Sequence, residues 1–527
     1  MQRYPIGAQN FKKVREGGFL YVDKTRYIVN LLEGSRIYFL GRPRRFGKSL
    51  FLSTLEYFFQ GERSLFRGLA IDSYDQWDWE PHPVIHIDFS VKSYQERGSL
   101  KNFISFCLEK YEELYEVKST ESGDIYDRFN RLIQAVRERT GKQVIILIDE
   151  YEKPVTDLID DPKLMDEHRE ILRGFYSVIK GLDAHLKFVF LTGVTKLGQM
   201  SIFSGLNNIL DISLLDEYGA ICGITEEELT STFREGIEKL ARVRNMRFDE
   251  ALAVLKKNYD GYHFSAHCPD LFNPFSLINV LASSTIDSFW AITGTPTLLV
   301  KQLLKYNYNI RDISNVQVER NELSGIHSSS NDPIALFYQT GYLTIKGYNV
   351  EDDIFTLGFP NMEVESAFLK FLLPYYCNSQ EGKTASFYRT LAQAFRDGDP
   401  AKAMETLEEF SASISYDIFG RVSNEKQFQM MIYIICRILL PQPTFVKVEE
   451  RTSDGRIDLL IATHKYVYVI EMKCDGSPEK ALQQIKEKNY GLQFRHDERK
   501  CWLIGVNFST VKRRIDGFII EPLVPNK

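Results

Sequence analysis

The 527-residue chain lacks the marks of several protein classes. No apolar run approaches the roughly 20 residues that a membrane helix needs; the longest, such as VIILI at 144–148, are strand-length. The start, MQRYPIGAQNF, has no apolar signal-peptide core, so secretion is not expected. Seven scattered cysteines (Cys107, Cys222, Cys268, Cys377, Cys436, Cys474, Cys501) are odd in number and form no CxxC pair. A disulfide framework is therefore not expected, and the expected location is the reducing cytoplasm. Internal repeats and low-complexity segments are missing, as are a G-x-S-x-G elbow and any serine- or cysteine-nucleophile signature. Nor is there an excess of positive charge: 65 Lys and Arg stand against 71 Asp and Glu, which excludes a global electrostatic pull toward nucleic acid.

What is present is ordinary in bulk and specific in detail. Apolar residues at 44% and charged residues at 26% exclude a disordered or fibrous chain. The length predicts about three domains. Local charge is uneven: five basic and no acidic residues lie between Arg36 and Lys48, and ten Lys or Arg against six Asp or Glu follow Gly476. Both stretches hint at phosphate.

Strand-like runs at RIYFL (36–40), PVIHIDFS (83–90), VIILIDE (144–150), FVFLTGV (188–194) and YGAICGI (218–224) alternate with helical stretches. Such alternation predicts βα units and a parallel sheet, so residues 1–225 read as an open α/β domain. Residues 226–375 turn helical (STFREGIEKLARV, DEALAVLKKNY) and then mixed, with SGIHSSSNDP at 324–333 the most loop-like piece. Residues 376–527 place long helical segments before a run of strands from Thr444 to Lys473.

GRPRRFGKSL at 41–50 lies between a predicted strand and a predicted helix. A nucleoside triphosphate needs backbone N–H groups around its phosphates, a lysine point charge and a hydroxyl for Mg²⁺. Gly47 lets the backbone approach, Lys48 would reach the β and γ phosphates, and Ser49 would ligate the metal. The first glycine of G-x4-G-K-S would fall at 42, where Arg42 stands, with Gly41 one place early. About a hundred residues on, VIILIDE ends in Asp149 and Glu150. Asp149 suits the Mg²⁺ shell, and Glu150 suits polarising the attacking water.

YVDKT at 21–25, RPRRFGKS at 42–49, DEYEKP at 149–154, LTGVTKL at 191–197 and FSGLNN at 203–208 together resemble the AAA-ATPase-like proteins of bacteria and archaea. YDGYHF, NPFS, TGTPT and a nuclease-like C-terminus extend the resemblance over nearly the whole chain. In that family RPRRFGKS is the usual form of the loop. The resemblance implies ATP and Mg²⁺ as cofactors, with Arg44, Arg45, Phe46, Gly47, Lys48, Ser49, Leu50, Asp149 and Thr195 as the binding set. Thr195 is implied as a polar sensor at a strand end. Arg44 and Arg45 either contact phosphate or are solvated or ion-paired.

DGRIDLLIATHKYVYVIEMKCDG at 454–476 reads as two strands joined by a turn. Period-2 alternation puts Glu471 and Lys473 on one face of the second strand, with Met472 on the other. Pairing through the ATHK turn brings Asp458 beside them. Two carboxylates and a lysine suit metal-assisted phosphodiester cleavage, the acids on one or two Mg²⁺ and the lysine on the water. The spacing resembles the PD-(D/E)XK nuclease superfamily, with Ile457 where a proline often stands. By that resemblance Glu425 in SNEKQF is the acid of the leading helix, and Gln484 in ALQQIKEKNY is the polar residue of a later one. Lys486 and Lys488 could meet a nucleic-acid backbone.

The expected architecture is thus α/β: an N-terminal P-loop ATPase domain, a helical and mixed middle, and a C-terminal restriction-endonuclease-like domain. The expected catalytic residues are Glu150, Glu425, Asp458, Glu471, Lys473 and Gln484; the expected metal ligands are Ser49, Asp149, Asp458 and Glu471. His263, His267 and Cys268 lie close together, but without a supporting Cys/His pair they read as loop residues rather than a zinc site. The Tyr/Phe pairs in YNYN and FYQTGY read as packing rather than base-stacking platforms. The function expected is ATP-regulated DNA cleavage or processing. The alternative is an ATP-dependent switch or scaffold whose nuclease-like domain only binds nucleic acid or protein. DNA versus RNA, an arginine finger and a homo-oligomeric state stay open at this stage.

Overall fold

The computed structural model describes residues 3–117, 123–158, 160–196, 208–290, 315–324, 333–376, 381–413, 432–438, 445–452, 455–512 and 514–523, with residues 299, 303 and 313. The chain forms two compact units, Met1–Glu365 and Ser366–Lys527. Among the described residues no helix is long and apolar enough to cross a membrane.

In the first unit, β1 (Ile37–Gly41), β2 (Val84–Asp88), β3 (Val144–Asp149), β4 (Leu186–Gly193) and β5 (Leu210–Asp211) form one parallel sheet in the order β2-β3-β4-β1-β5. β3 is an unbroken apolar run because every one of its residues is buried, as a strand covered on both faces requires. The helices Ser99–Leu114, Ile125–Thr140 and Pro162–Gly181 pack on the sheet through Phe103, Phe129, Leu172 and Phe175. At the outer edge of β2 the Tyr111 hydroxyl accepts from His86 N at 2.7 Å and donates to His86 O at 2.8 Å. Tyr115 does the same at Val84. These two side chains satisfy backbone groups that an edge strand leaves open.

One expected strand is absent. YGAICGI at 218–224 is turn structure with a single bridge from Ile224 to Phe272, and the fifth strand is Leu210–Asp211. The run is apolar because all seven residues are buried, not because it is extended. Gly223 sits at φ +92°, and the carbonyls of Tyr218 and Gly219 are taken by the Arg42 guanidinium instead of a neighbouring strand.

Beyond the sheet come the helices Glu226–Thr232, Arg234–Arg244, Phe248–Tyr259 and Pro274–Ser283, sharing a core of Leu229, Ile237, Leu255, Leu277 and Leu281. NPFS marks a helix start: the buried Asn273 side chain accepts from the Phe275 and Ser276 amides, and Pro274 occupies the first turn. β6 (Val316–Glu319), β7 (Thr344–Asn349) and β8 (Ile354–Gly358) then form an antiparallel sheet in the order β6-β8-β7. The helices Arg320–Ser324 and Ile334–Thr340 fall between its first and second strands, the arrangement of a winged helix. In FYQTGY, Phe337, Tyr338 and Tyr342 are buried and Tyr342 packs edge-on to Trp290, while YNYN, TGTPT and most of SGIHSSSNDP and FSGLNN lie outside the described residues.

In the second unit the helices Glu381–Asp397 and Pro400–Ser413 precede β9 (Phe445–Thr452), β10 (Gly455–Ala462) and β11 (Tyr466–Cys474). The helix Pro478–Glu487 carries the chain over to β12 (Lys500–Ser509), and β13 (Arg514–Pro522) closes the sheet in the order β13-β12-β11-β10-β9. β11 and β12 are parallel; the other pairs are antiparallel. Gly505 allows the crossover helix to lie on β12, since a Cβ there would meet the Pro478 carbonyl and the Leu482 amide.

Candidate functional site

β4 separates β1 from β3, so the loop after β1 and the acids after β3 open at the same carboxyl edge of the sheet, where open α/β folds bind ligands. The loop turns into the Lys48–Phe59 helix through Arg45 and Gly47, both at positive φ. Arg42 is the strut of this loop. Its guanidinium is fully buried, donates to the carbonyls of Gly41, Ser213, Tyr218 and Gly219, and lies 4.5 Å over the Phe264 ring. The residue standing where a glycine is usual thus does internal work.

A cavity of about 420 Å³ opens at the helix start, lined by the polar Lys48, Ser49 and Glu150 and by the apolar Phe275 and Ile278. Arg44, Arg45, Gly47 and Leu50 also line it, and the Arg45 guanidinium stacks 4.7 Å over Phe275. Phe46 points elsewhere, packed edge-on against Tyr262 and Phe264. Lys48 Nζ donates to the Arg42 and Pro43 carbonyls at 3.1 and 3.3 Å and lies 3.4 Å from Glu150 Oε1. A helix N-terminus, a buried lysine and exposed arginines make this cavity a site for anions.

Asp149 is buried beneath the cavity, and its carboxyl is raised to about 6 by burial and then by Glu150, against the pull of the Ser49 hydrogen bond and of Lys48. Ser49 and Asp149, close enough for Ser49 to pull on the Asp149 carboxyl, are a donor set that fits Mg²⁺, which takes few protein ligands and completes its shell with phosphate and water. Among the described residues no cluster of three or more His, Cys, Asp or Glu could hold a metal by itself. Glu150 adopts φ +49°, a left-handed conformation that costs a side-chain-bearing residue about 1–2 kcal/mol and is found where function imposes it.

Glu152, which sequence reasoning passed over, is buried in the same turn with its carboxyl raised to about 7 by burial and by Glu150. Its Oε1 accepts from the amides of Val194 and Thr195 at 2.6 and 2.8 Å. Thr195 is buried just past β4, does not line the cavity, and its hydroxyl has no hydrogen-bond partner among the described residues. The only sequence signal for Glu152 was the third acid in DEYE.

The raised carboxyl of Asp149 has a consequence for stability. A group that prefers its neutral form when folded contributes fully below its unfolded value and loses that contribution as pH rises through the folded one, here from about 4 to about 6. Asp149→Asn is therefore expected to stabilise the nucleotide-free protein at pH 7.5 by up to ~3 kcal/mol, fading toward pH 4. Thermal denaturation at the two pH values checks this; a lower midpoint at pH 7.5 would contradict it.

In the second unit, the pairing of Leu459 with Ile470 puts Asp458 across from Glu471, and Met472 N donates to Asp458 Oδ2 at 2.8 Å. Glu471 is 2% exposed; burial first, then Asp458, push its carboxyl up to about 8, with Lys473 pulling the other way. Lys473 Nζ lies 3.5 Å from Glu471 Oε1 and donates to Gln484 Oε1 at 2.5 Å, while Gln484 Nε2 donates to Glu471 Oε1. Glu471 Oε2 is buried with no hydrogen-bond partner among the described residues, a polar atom with the chemistry to take a cation. Asp458, Glu471, Lys473 and Gln484 thus converge, and Glu425 lies outside the described residues. His263, set aside as a zinc ligand, bonds Asp270 through Nδ1 at 3.2 Å.

Residues 5–203 match the model of the predicted AAA-ATPase family, and residues 423–517 match that of the PD-(D/E)XK nuclease superfamily. A protein of Azotobacter chroococcum mcd 1, described as an uncharacterized protein in the vnfD 5' region, is 34% identical over 531 residues, spanning 99% of both chains. The chain belongs to the AAA-ATPase-like family and carries a PD-(D/E)XK superfamily domain at its C-terminus. Both family members are thus similar along their whole length, nuclease-type domain included. Among solved structures, Orc1 of Aeropyrum pernix in complex with DNA is 13% identical, with 66% of this chain and 91% of that chain covered and a TM-score of 0.24. Cdc6p of Pyrobaculum aerophilum is 12% identical with the same coverage and a TM-score of 0.27. Likenesses this distant carry no argument about the AAA-ATPase-like protein's function.

Proposed function

We propose that this protein hydrolyses ATP with Mg²⁺ in the cavity at the carboxyl edge of the parallel sheet, cuts DNA with its C-terminal domain, and sets the rate of cutting by its nucleotide state. The observation that carries the reading is the gathering of Lys48, Ser49 and Glu150 around one cavity at a helix N-terminus, with the buried Asp149 carboxyl within their influence. Lys48 would exchange the Arg42 and Pro43 carbonyls for phosphate oxygens, with Arg44 and Arg45 beside it. Ser49 and Asp149 would hold Mg²⁺, which when bound neutralises phosphate charge. Glu150, freed from Lys48, would orient the attacking water, while Thr195, outside the cavity lining, would act only through the backbone that Glu152 holds.

In the C-terminal domain Asp458 and Glu471 would hold Mg²⁺, Lys473 would position the water, and Gln484 would fix both Glu471 and Lys473, with Glu425 as a further acid. DNA as the substrate, and the cytoplasm as the place, belong to the same proposal. The test of coupling is ATP turnover with and without DNA, beside DNA cleavage with and without ATP. Each activity is expected to respond to the other's ligand; turnover indifferent to DNA together with cleavage indifferent to ATP would overturn the coupling.

A further inference from the structure

Just past β4 the backbone of residues 194–196 is held from two directions. On one side stands the turn that carries Asp149 and Glu150: Glu152 accepts the Val194 and Thr195 amides, and the Tyr151 hydroxyl donates to the Thr195 carbonyl at 2.9 Å. On the other side the Lys196 amide donates to Gln339 Oε1 at 2.8 Å. Gln339 belongs to the Ile334–Thr340 helix, 143 residues away, and its Nε2 donates to the Leu323 carbonyl at 3.0 Å. The Lys196 side chain reaches back to Asp211 on β5 at 2.5 Å. Glu152, Thr195, Lys196 and Gln339 are each at most 6% exposed, so no bulk water can replace a lost partner.

A second contact ties the same helix to the phosphate loop. Gly341, at φ +88°, ends the helix so close to Pro43 that an added Cβ would stand 2.7 Å from the Pro43 Cβ. The Ile334–Thr340 helix buries Ile334, Leu336, Phe337, Tyr338 and Gln339, and the Gln339 side chain is spent on the strand end after β4.

We propose that Gln339 is a positioning residue for ATP hydrolysis. It holds residues 194–196 against the Asp149–Glu150 turn, and through it nucleotide turnover is coupled to the seating of the Ile334–Thr340 helix on the ATPase sheet. The inference rests on the reading of the Lys48 cavity as an ATP site. A shift of the 194–196 backbone during turnover must move the Lys196 amide, and a buried amide cannot leave Gln339 without taking the helix along or losing its bond.

The test uses the full chain with Gln339→Met, which keeps length but removes the acceptor, and Gln339→Glu, which keeps an acceptor oxygen. ATP affinity, kcat and KM for phosphate release, and hydrogen exchange of residues 334–343 with and without ATP are measured. Gln339→Met is expected to lower kcat roughly 10-fold with KM and affinity within about twofold, and Gln339→Glu to recover most of it. ATP is expected to slow exchange at 334–343 in the wild type and to leave it unchanged in Gln339→Met. Wild-type kcat in Gln339→Met, or an equal fall of kcat, affinity and thermal midpoint in both variants, would overturn the inference. Should Gln339→Met fail to fold, wild-type exchange at 334–343 still decides: slowing by ATP supports the coupling, and indifference overturns it. A wild type that binds no ATP would overturn the ATP reading itself, whereas wild-type turnover unaffected by either substitution overturns this inference alone.

Discussion

Glutamine in place of Glu150 is expected to leave ATP bound while slowing its hydrolysis by about 10²–10⁴-fold. Glu150 lines the cavity, 3.4 Å from Lys48 Nζ, and is held there by a left-handed backbone. Glutamine keeps the shape and removes the charge that would polarise water. It also removes the anion that engages Lys48, so affinity for ATP is expected to be kept or to rise. Lys48→Ala is expected to act differently, by losing nucleotide binding, because Lys48 supplies the buried positive charge there. Equilibrium binding of a fluorescent ATP analogue beside phosphate release separates the two. Turnover at the wild-type rate in Glu150→Gln would contradict the assignment of the water-orienting role.

The second large effect is expected in the C-terminal domain. Lys473→Ala should lower cleavage by about 10²–10⁴-fold while Mg²⁺ still binds, since Lys473 faces Glu471 and Gln484 and is no metal ligand. Glu471→Gln should instead lose metal binding, because it neutralises the most buried carboxylate of the group. The wild type has a pH signature as well. With the Glu471 carboxyl raised to about 8, protons compete with the cation below that value. The Mg²⁺ concentration for half-maximal cleavage is therefore expected to fall as pH rises from 6 to 8 and to level off above. A requirement for Mg²⁺ that does not change over this range would contradict the placement of Glu471 in the metal site.

The two candidate sites were legible because each is local. Lys48 and Ser49 follow the turn that places them, and Glu471 and Lys473 share a strand face by alternation alone. The register that sets Asp458 opposite Glu471 follows from a short hairpin, and a hairpin is visible in sequence. What escaped is what depends on distant partners. Arg42 read only as a departure from the glycine pattern, with no role, because its four carbonyl acceptors include three more than 170 residues away. YGAICGI passed for a strand because burial gives an apolar run whether or not the backbone is extended. Glu152 carried no signal beyond the third acid in DEYE and Gln339 none, since their partners at 194–196 lie 42 and 143 residues off. The winged-helix order of β6, β7 and β8 was hidden by a first strand of only four residues.

The central claim is that one chain joins an ATP site to a nuclease site that it regulates. Its most direct test is Mg²⁺-dependent cleavage of linear, circular and single-stranded DNA, with and without ATP, by the wild type, Lys48→Ala and the double variant Glu471→Ala/Lys473→Ala. Cleavage is expected to vanish in the double variant and to lose its response to ATP in Lys48→Ala. DNA left uncut by the wild type under every condition, while ATP is still hydrolysed, would contradict the claim and leave the C-terminal domain a binding module.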